Sequence, residues 1–189
     1  MGLFSQRLRK PGGIRHNGKR LSEILEAHRK FFSGQPGGVQ ADLSGADLSR
    51  ADLSGVNFTD AILKGANLEG SILRRAKLTR ANLGRANLRK ADLRNADMTE
   101  AILPGADLAE AQVSGVELFR CDLSGANFRG ANLRNTNFRY ANINGAVFAG
   151  ADMNVTILRE TDLTGADFSG VDMTTTLMPR GHAAAAPKQ

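Results

Sequence analysis

The sequence predicts an all-β fold: a quadrilateral β-helix, or solenoid, of about seven coils with a short N-terminal α-helical cap. Three observations lead there. Residues 41–180 run as 28 pentapeptides in one phase, from Ala41-Asp42-Leu43-Ser44-Gly45 to the weaker Thr176-Leu177-Met178-Pro179-Arg180, without insertion or deletion. The third position of every unit is large and apolar, and the first is Ala or another small or β-branched residue. The exceptions recur at multiples of 20: Phe128, Phe148 and Phe168, and again Val56, Val116, Thr136, Thr156 and Thr176.

A helix turns about 100° per residue, so a period of five would scatter the Leu residues over every face. A flat strand fails as well, because an odd period sends alternate Leu residues to opposite sides. A chain that bends once per unit keeps first and third positions inside and the second, usually Asp or Asn, outside. Gly at the fifth position, as in Gly45, Gly65 and Gly125, suits a corner with φ > 0. Four units per coil would stack the Phe and Thr exceptions in columns.

The pattern of Ala66-Asn67-Leu68-Glu69-Gly70 and Ala126-Asn127-Phe128-Arg129-Gly130 resembles the pentapeptide-repeat proteins, over about three quarters of the chain. The resemblance implies that the four-sided coil is right-handed, with Leu or Phe inside and Ala at the inner wall. It says little about function. The best understood members bind topoisomerases, resemble DNA in shape and charge, and protect DNA gyrase from quinolones. They carry a strongly acidic surface, often a projecting loop, and a C-terminal dimerising helix. Here the phase is unbroken, and residues 41–180 hold 16 Lys or Arg against 17 Asp or Glu.

The formal charge of +6 therefore comes from the ends, with residues 1–40 contributing +6 and the last nine +1. Residues 1–20 read as a basic, disordered arm carrying Arg7, Arg9, Lys10, Arg15, Lys19 and Arg20, suited to touch nucleic acid or an anionic membrane. Residues 21–33 read as the capping helix, with Ser22 as N-cap and an apolar stripe of Leu21, Ile24, Leu25, His28, Phe31 and Phe32. The first coil of a solenoid has nothing beneath it and needs such a cover. Residues 41–180 form the β-helix, and residues 181–189 a disordered tail.

No run of 18 apolar residues and no signal-peptide core is present, and the one Cys121 forms no intramolecular disulfide, so a cytoplasmic protein is expected. Cys121 stands at a first position and reads as a small core residue. No catalytic constellation, metal-ligand spacing or cofactor motif occurs, since His16, His28 and His182 lie outside the repeats. An enzyme is not expected.

Two surface features remain. One is a basic cluster, Arg74, Arg75, Lys77, Arg80, Arg85, Arg89, Lys90 and Arg94, which at four units per coil forms a belt and suits a straight duplex poorly. The other is an outward patch of Phe119, Arg120, Arg139, Tyr140, Ile157 and Arg159, with the composition of a protein contact. The expected function is a rigid scaffold or adaptor for a partner protein. The alternatives are a modulator of DNA gyrase or topoisomerase IV, and an adaptor whose basic arm contacts DNA or membrane. Stacking of solenoid ends through Leu177 and Met178 would make a homodimer.

Overall fold

A computed structural model describes residues 8–180. Arg7, His182 and the tail at residues 181–189 lie outside the described residues. From Asp42 to Leu177 the chain makes isolated parallel β-bridges between residues twenty apart, Asp42 with Ile62, Asp47 with Asn67, Asp52 with Ile72 and Asn57 with Lys77. The backbone pattern repeats on every side. A second-position N–H donates to the first-position carbonyl of the preceding coil, as Ile62 does to Ala41 at 2.9 Å, and a third-position N–H donates to the second-position carbonyl of the following one, as Leu43 does to Ile62 at 2.7 Å. Each first-position N–H folds back on the third-position carbonyl before it, as Ala46 does on Leu43, and this makes the corner.

The interior is a column of third-position side chains walled by first-position ones. Phe128, Phe148 and Phe168 lie parallel with centroids 5.1 and 4.9 Å apart, and Phe138 meets the first two edge-on. The buried Thr136, Thr156, Thr161 and Thr176 hydroxyls each donate to the carbonyl 23 residues back, as Cys121 Sγ does to Met98 at 2.9 Å. Outside, the second-position carboxylates and amides do more than face water. Their Oδ1 accepts the N–H two residues on, as Asp42 does from Ser44 at 3.0 Å, an Asx turn that sets the corner. Asn side chains also reach the coil below, Asn87 to Asn67 and Asn127 to Asp107.

Residues 8–20 differ from the disordered arm expected over residues 1–20, of which residues 1–7 lie outside the described residues. The Arg9 N–H donates to Arg50 O at 2.8 Å and the Asp52 N–H to Arg9 O at 2.9 Å, so Arg9 forms a parallel bridge beneath the first coil. A 3-10 turn at Pro11–Gly13 follows, then two antiparallel strands, β1 (Arg15–His16) and β2 (Lys19–Arg20). Asn17 and Gly18 join them at φ 47° and 79°, the backbone of a type I′ hairpin turn. Ile14 is fully buried. The physical reason for this order is an unpaired edge under the first coil, which main-chain pairing and one apolar anchor satisfy.

Helix α1 spans Leu21–Phe32. Its start is not made by Ser22: Arg20 precedes the first turn, and Glu23 accepts the Arg20 N–H at 2.8 Å, half of a capping box. Leu21 and His28 are buried, and Ile24 and Leu25 pack on the core. His28 Nδ1 accepts the Ala41 N–H at 3.0 Å, the bond a preceding unit would make had there been one. Phe31 and Phe32 remain half exposed. At the other end Leu163, Phe168, Val171 and Met178 are only partly buried.

Candidate functional site: the fourth corner

Each coil has four corners, and the fifth position stands on the turn with φ near +60°. The first corner column is Gly45, Gly65, Arg85, Gly105, Gly125, Gly145 and Gly165, smooth but for one side chain. The fourth reads Asp60, Arg80, Glu100, Arg120, Tyr140, Glu160 and Arg180 and is the one column without Gly. The first six of these hold φ between 55° and 58°. Such a left-handed backbone costs an L-residue about 1–2 kcal/mol that Gly avoids. That column therefore keeps its side chains against a steady conformational penalty.

Part of the return is axial. Arg80 grips Asp60 with two bonds of 2.7 and 2.8 Å, and Arg120 approaches Glu100 at 3.9 Å. The alternation breaks at Tyr140. Phe119 and Tyr140, one coil apart, meet edge-to-face with centroids 5.6 Å apart. The Arg120 guanidinium lies 5.0 Å from the Phe119 ring centre and 6.0 Å from that of Tyr140, with Arg139 5.7 Å from Tyr140. Arg139 is tied at 2.8 Å to Glu160, which fixes it over the ring. Tyr140 stays 49% exposed, so the cluster presents an aromatic surface to solvent.

Of the six expected patch residues the structure brings Phe119, Arg120, Arg139 and Tyr140 together. Ile157 stands in the same column of bridges, between Asn137 and Leu177, half-buried, and Arg159 is exposed two residues on. The basic cluster does encircle the molecule, and much of its charge is spent on neighbouring coils. Arg74 and Arg94 share Asp92 at 2.6 and 2.7 Å, Arg80 holds Asp60, Arg89 reaches Asp107 and Glu110 at 3.3 Å, and Lys90 lies 3.7 Å from Glu110. Arg75, Lys77 and Arg85 make no ion pair among the described residues. Two cations of the arm are engaged, Arg9 with Asp47 at 2.8 Å and Lys10 with Asp52 at 3.1 Å, while Arg15, Lys19 and Arg20 are exposed and make no ion pair among the described residues.

Among the described residues no group of His, Cys, Asp and Glu is arranged to hold a metal ion, and no helix is long and apolar enough to cross a membrane. The Cys121 thiol is buried and pushed up to about 12 by that burial, far from a reactive thiolate. Sequence reasoning missed the penalty at the fourth corner and the role of Asp92. Absence of Gly from one residue in every twenty was a visible signal for the first; nothing local announced the second.

A comparison with curated proteins finds none that matches. Among solved structures the chain is similar to the pentapeptide repeat protein Rfr23 of the cyanobacterium Cyanothece 51142, with 34% identity over 51% of this chain and 63% of that one and a TM-score of 0.36. The chain thus spans less than two thirds of Rfr23. It is also similar to HetL, a pentapeptide repeat protein involved in heterocyst differentiation regulation in Nostoc sp. strain PCC 7120, with 27% identity over 75% of this chain and 86% of that one and a TM-score of 0.33. QnrB1, a plasmid-mediated fluoroquinolone resistance protein, matches at 24% identity over 70% of this chain and 77% of that one, with a TM-score of 0.36. The pentapeptide repeats family model matches residues 39–75, 76–118, 117–154 and 144–178. With that match spread over the whole solenoid, the chain belongs to the pentapeptide repeat family, whose members fold as right-handed quadrilateral β-helices.

Proposed function

We propose that the protein is a non-enzymatic, rigid scaffold or adaptor that binds a partner protein through the faces of its β-helix, with the fourth corner at Phe119 and Tyr140 as the contact. The observation that carries this reading is the edge-to-face pair of Phe119 and a half-exposed Tyr140, flanked by two guanidiniums, with Tyr140 and Arg120 standing where Gly would be less strained. Aromatic and Arg side chains on a rigid wall lose little entropy on binding, the property of contact hot spots. Ile157 and Arg159 extend the same face by one coil. The test is affinity capture from native cell extract with the wild type and a Phe119→Ala, Tyr140→Ala double variant. Loss of the captured proteins is the expected result; an unchanged set discards the patch.

Within this reading the rod has about seven coils, with helix α1 and residues 8–20 as its N-terminal cap and Leu177 and Met178 as the end on which two copies would stack. A cytoplasmic setting is supported by one buried, unpaired thiol. Contact of the basic arm with DNA or membrane is disfavoured by the engagement of Arg9 and Lys10 with the first coil. Modulation of gyrase or topoisomerase IV by imitation of DNA is disfavoured by a solenoid of near-zero net charge. A supercoiling assay with a quinolone and micromolar protein is expected to show no effect.

A further inference from the structure

The basic belt does not stay uniform once its ion pairs are subtracted. The cation excess gathers at the third corner, in a cleft of about 590 Å³ lined by Ser54, Gly55, Arg74, Arg75, Arg94 and Asn95. Asp92 organises it. Its carboxylate, with the side chain only 14% exposed, receives Arg94 Nε at 2.8 Å and NH2 at 2.7 Å on one side and Arg74 Nε at 2.6 Å on the other. Burial would push the carboxyl up, but the bonds from Arg94 and Arg74 outweigh it and hold the group at about 2, so it stays ionised at neutral pH. One negative charge thus positions two guanidiniums and leaves both NH groups of Arg74 and one of Arg94 without a hydrogen bond among the described residues.

Arg75 adds a third guanidinium, in no ion pair among the described residues, on a backbone at φ 55°. In its column Gly55 stands below and Gly115 two coils above, so only Gly55 and Asn95 flank it and the cleft is open toward the first coil. Asp52 beneath does not compete, because Lys10 at 3.1 Å and the Ser54 hydroxyl at 2.8 Å occupy it. Three guanidiniums against one carboxylate leave two positive charges in one concave site. Arg forks match the oxygens of a phosphate with paired, charge-assisted hydrogen bonds.

We infer that this third-corner cleft is a binding site for a phosphate group, held by Arg74, Arg75 and Arg94. It is separate from the aromatic patch, on another corner, with Arg94 one coil and Arg75 two coils below Phe119. The group's source is either a free phosphate compound or a phosphorylated side chain of a protein. Calorimetric titration at moderate salt with inorganic pyrophosphate, and in parallel with a short phosphoserine peptide and its unphosphorylated form, separates the two.

Arg75→Gly removes the guanidinium and places Gly in a left-handed turn, so the fold is kept; Arg85→Gly makes the same change of charge and backbone at the first corner, at φ 57°. Saturable pyrophosphate binding that Arg75→Gly weakens about tenfold and Arg85→Gly less than about twofold is expected, one charge-assisted pair being worth roughly that factor. Arg75→Gln should repeat the loss. A phosphopeptide that binds while its unphosphorylated form does not assigns the group to a protein; pyrophosphate alone assigns it to a small molecule. Absence of saturable binding up to about 10 mM, a Kd no better than that of a nonspecific surface, overturns the site. Equal weakening by Arg75→Gly and Arg85→Gly overturns it too, since that is the response of a diffuse positive field.

Discussion

Phe148 touches Phe128 below and Phe168 above in one parallel stack, so truncation there opens a void in the middle of the column. Phe148→Ala should cost about 3–5 kcal/mol, read as a drop in the urea midpoint with little change in slope. Val155 makes the opposite case. It is β-branched, 48% exposed and held at φ 58°, where a side chain is strained and buries little. Val155→Gly should stabilise by about 1–2 kcal/mol in the same measurement, and destabilisation would show that its contacts outweigh the strain. Cys121 should resist a thiol-specific reagent in the folded protein and react only at the rate of unfolding. The inward residues were legible because a bend every five residues leaves them no other side. The outward corners were not: whether φ > 0 is met by Gly or by a strained Arg, Glu or Tyr leaves the period unchanged.

Helix α1 and the segment before it close the first coil through a bond that depends on protonation. Burial lowers the pKa of His28, against smaller opposing effects of the Thr59 backbone and the Asp60 charge, and the neutral ring is the form that accepts the Ala41 N–H. A folded-state value below the unfolded one means stability is full above about pH 6.5 and is lost as pH falls through the lowered value. Thermal unfolding followed from pH 8 to pH 5 should show this decline, and His28→Asn should flatten it while lowering stability at pH 8. The helix itself was legible from its apolar stripe at helical spacing. Its first turn was misplaced because Ser22 has the side chain of a cap, yet the chain already turns helical at Leu21. Asn17-Gly18 between β1 and β2 is a hairpin signal that a polar, basic composition masked. The pairing of Arg9 with Ala51 spans 42 residues, and no local pattern encodes it.

On the scale of the whole molecule, the β-bridges between coils join each coil to its immediate neighbours, so stability should behave as a sum of coil and interface contributions. Removing residues 161–189 should leave a shorter rod, with the preceding coils still folded by circular dichroism. Removing residues 1–40 exposes the first coil's polar edge and the core under Leu43 and Leu48, and should lower the melting temperature more. The adjacency of Phe119 and Tyr140 was legible, because residues about one coil apart in the chain must be neighbours in space. Their ring geometry and the arginines over them were not, since side-chain rotamers carry no period.

The twenty-residue circuit also makes the rod an indexing device. Excision of one unit between the aromatic partners, residues 126–130, would leave every inward slot filled by a suitable side chain. Everything downstream would nevertheless arrive a quarter revolution early, and Tyr140 would emerge on the third corner, facing away from Phe119. Excision of a full circuit upstream of both partners, residues 81–100, would shorten the rod and leave both rings on their corner, still facing each other. A spacing measurement between labels at 119 and 140 in the two deletants would read that gearing directly: the first should separate them by about the width of the rod, and the second should keep them at the spacing of one strand, about 4.8 Å between backbones.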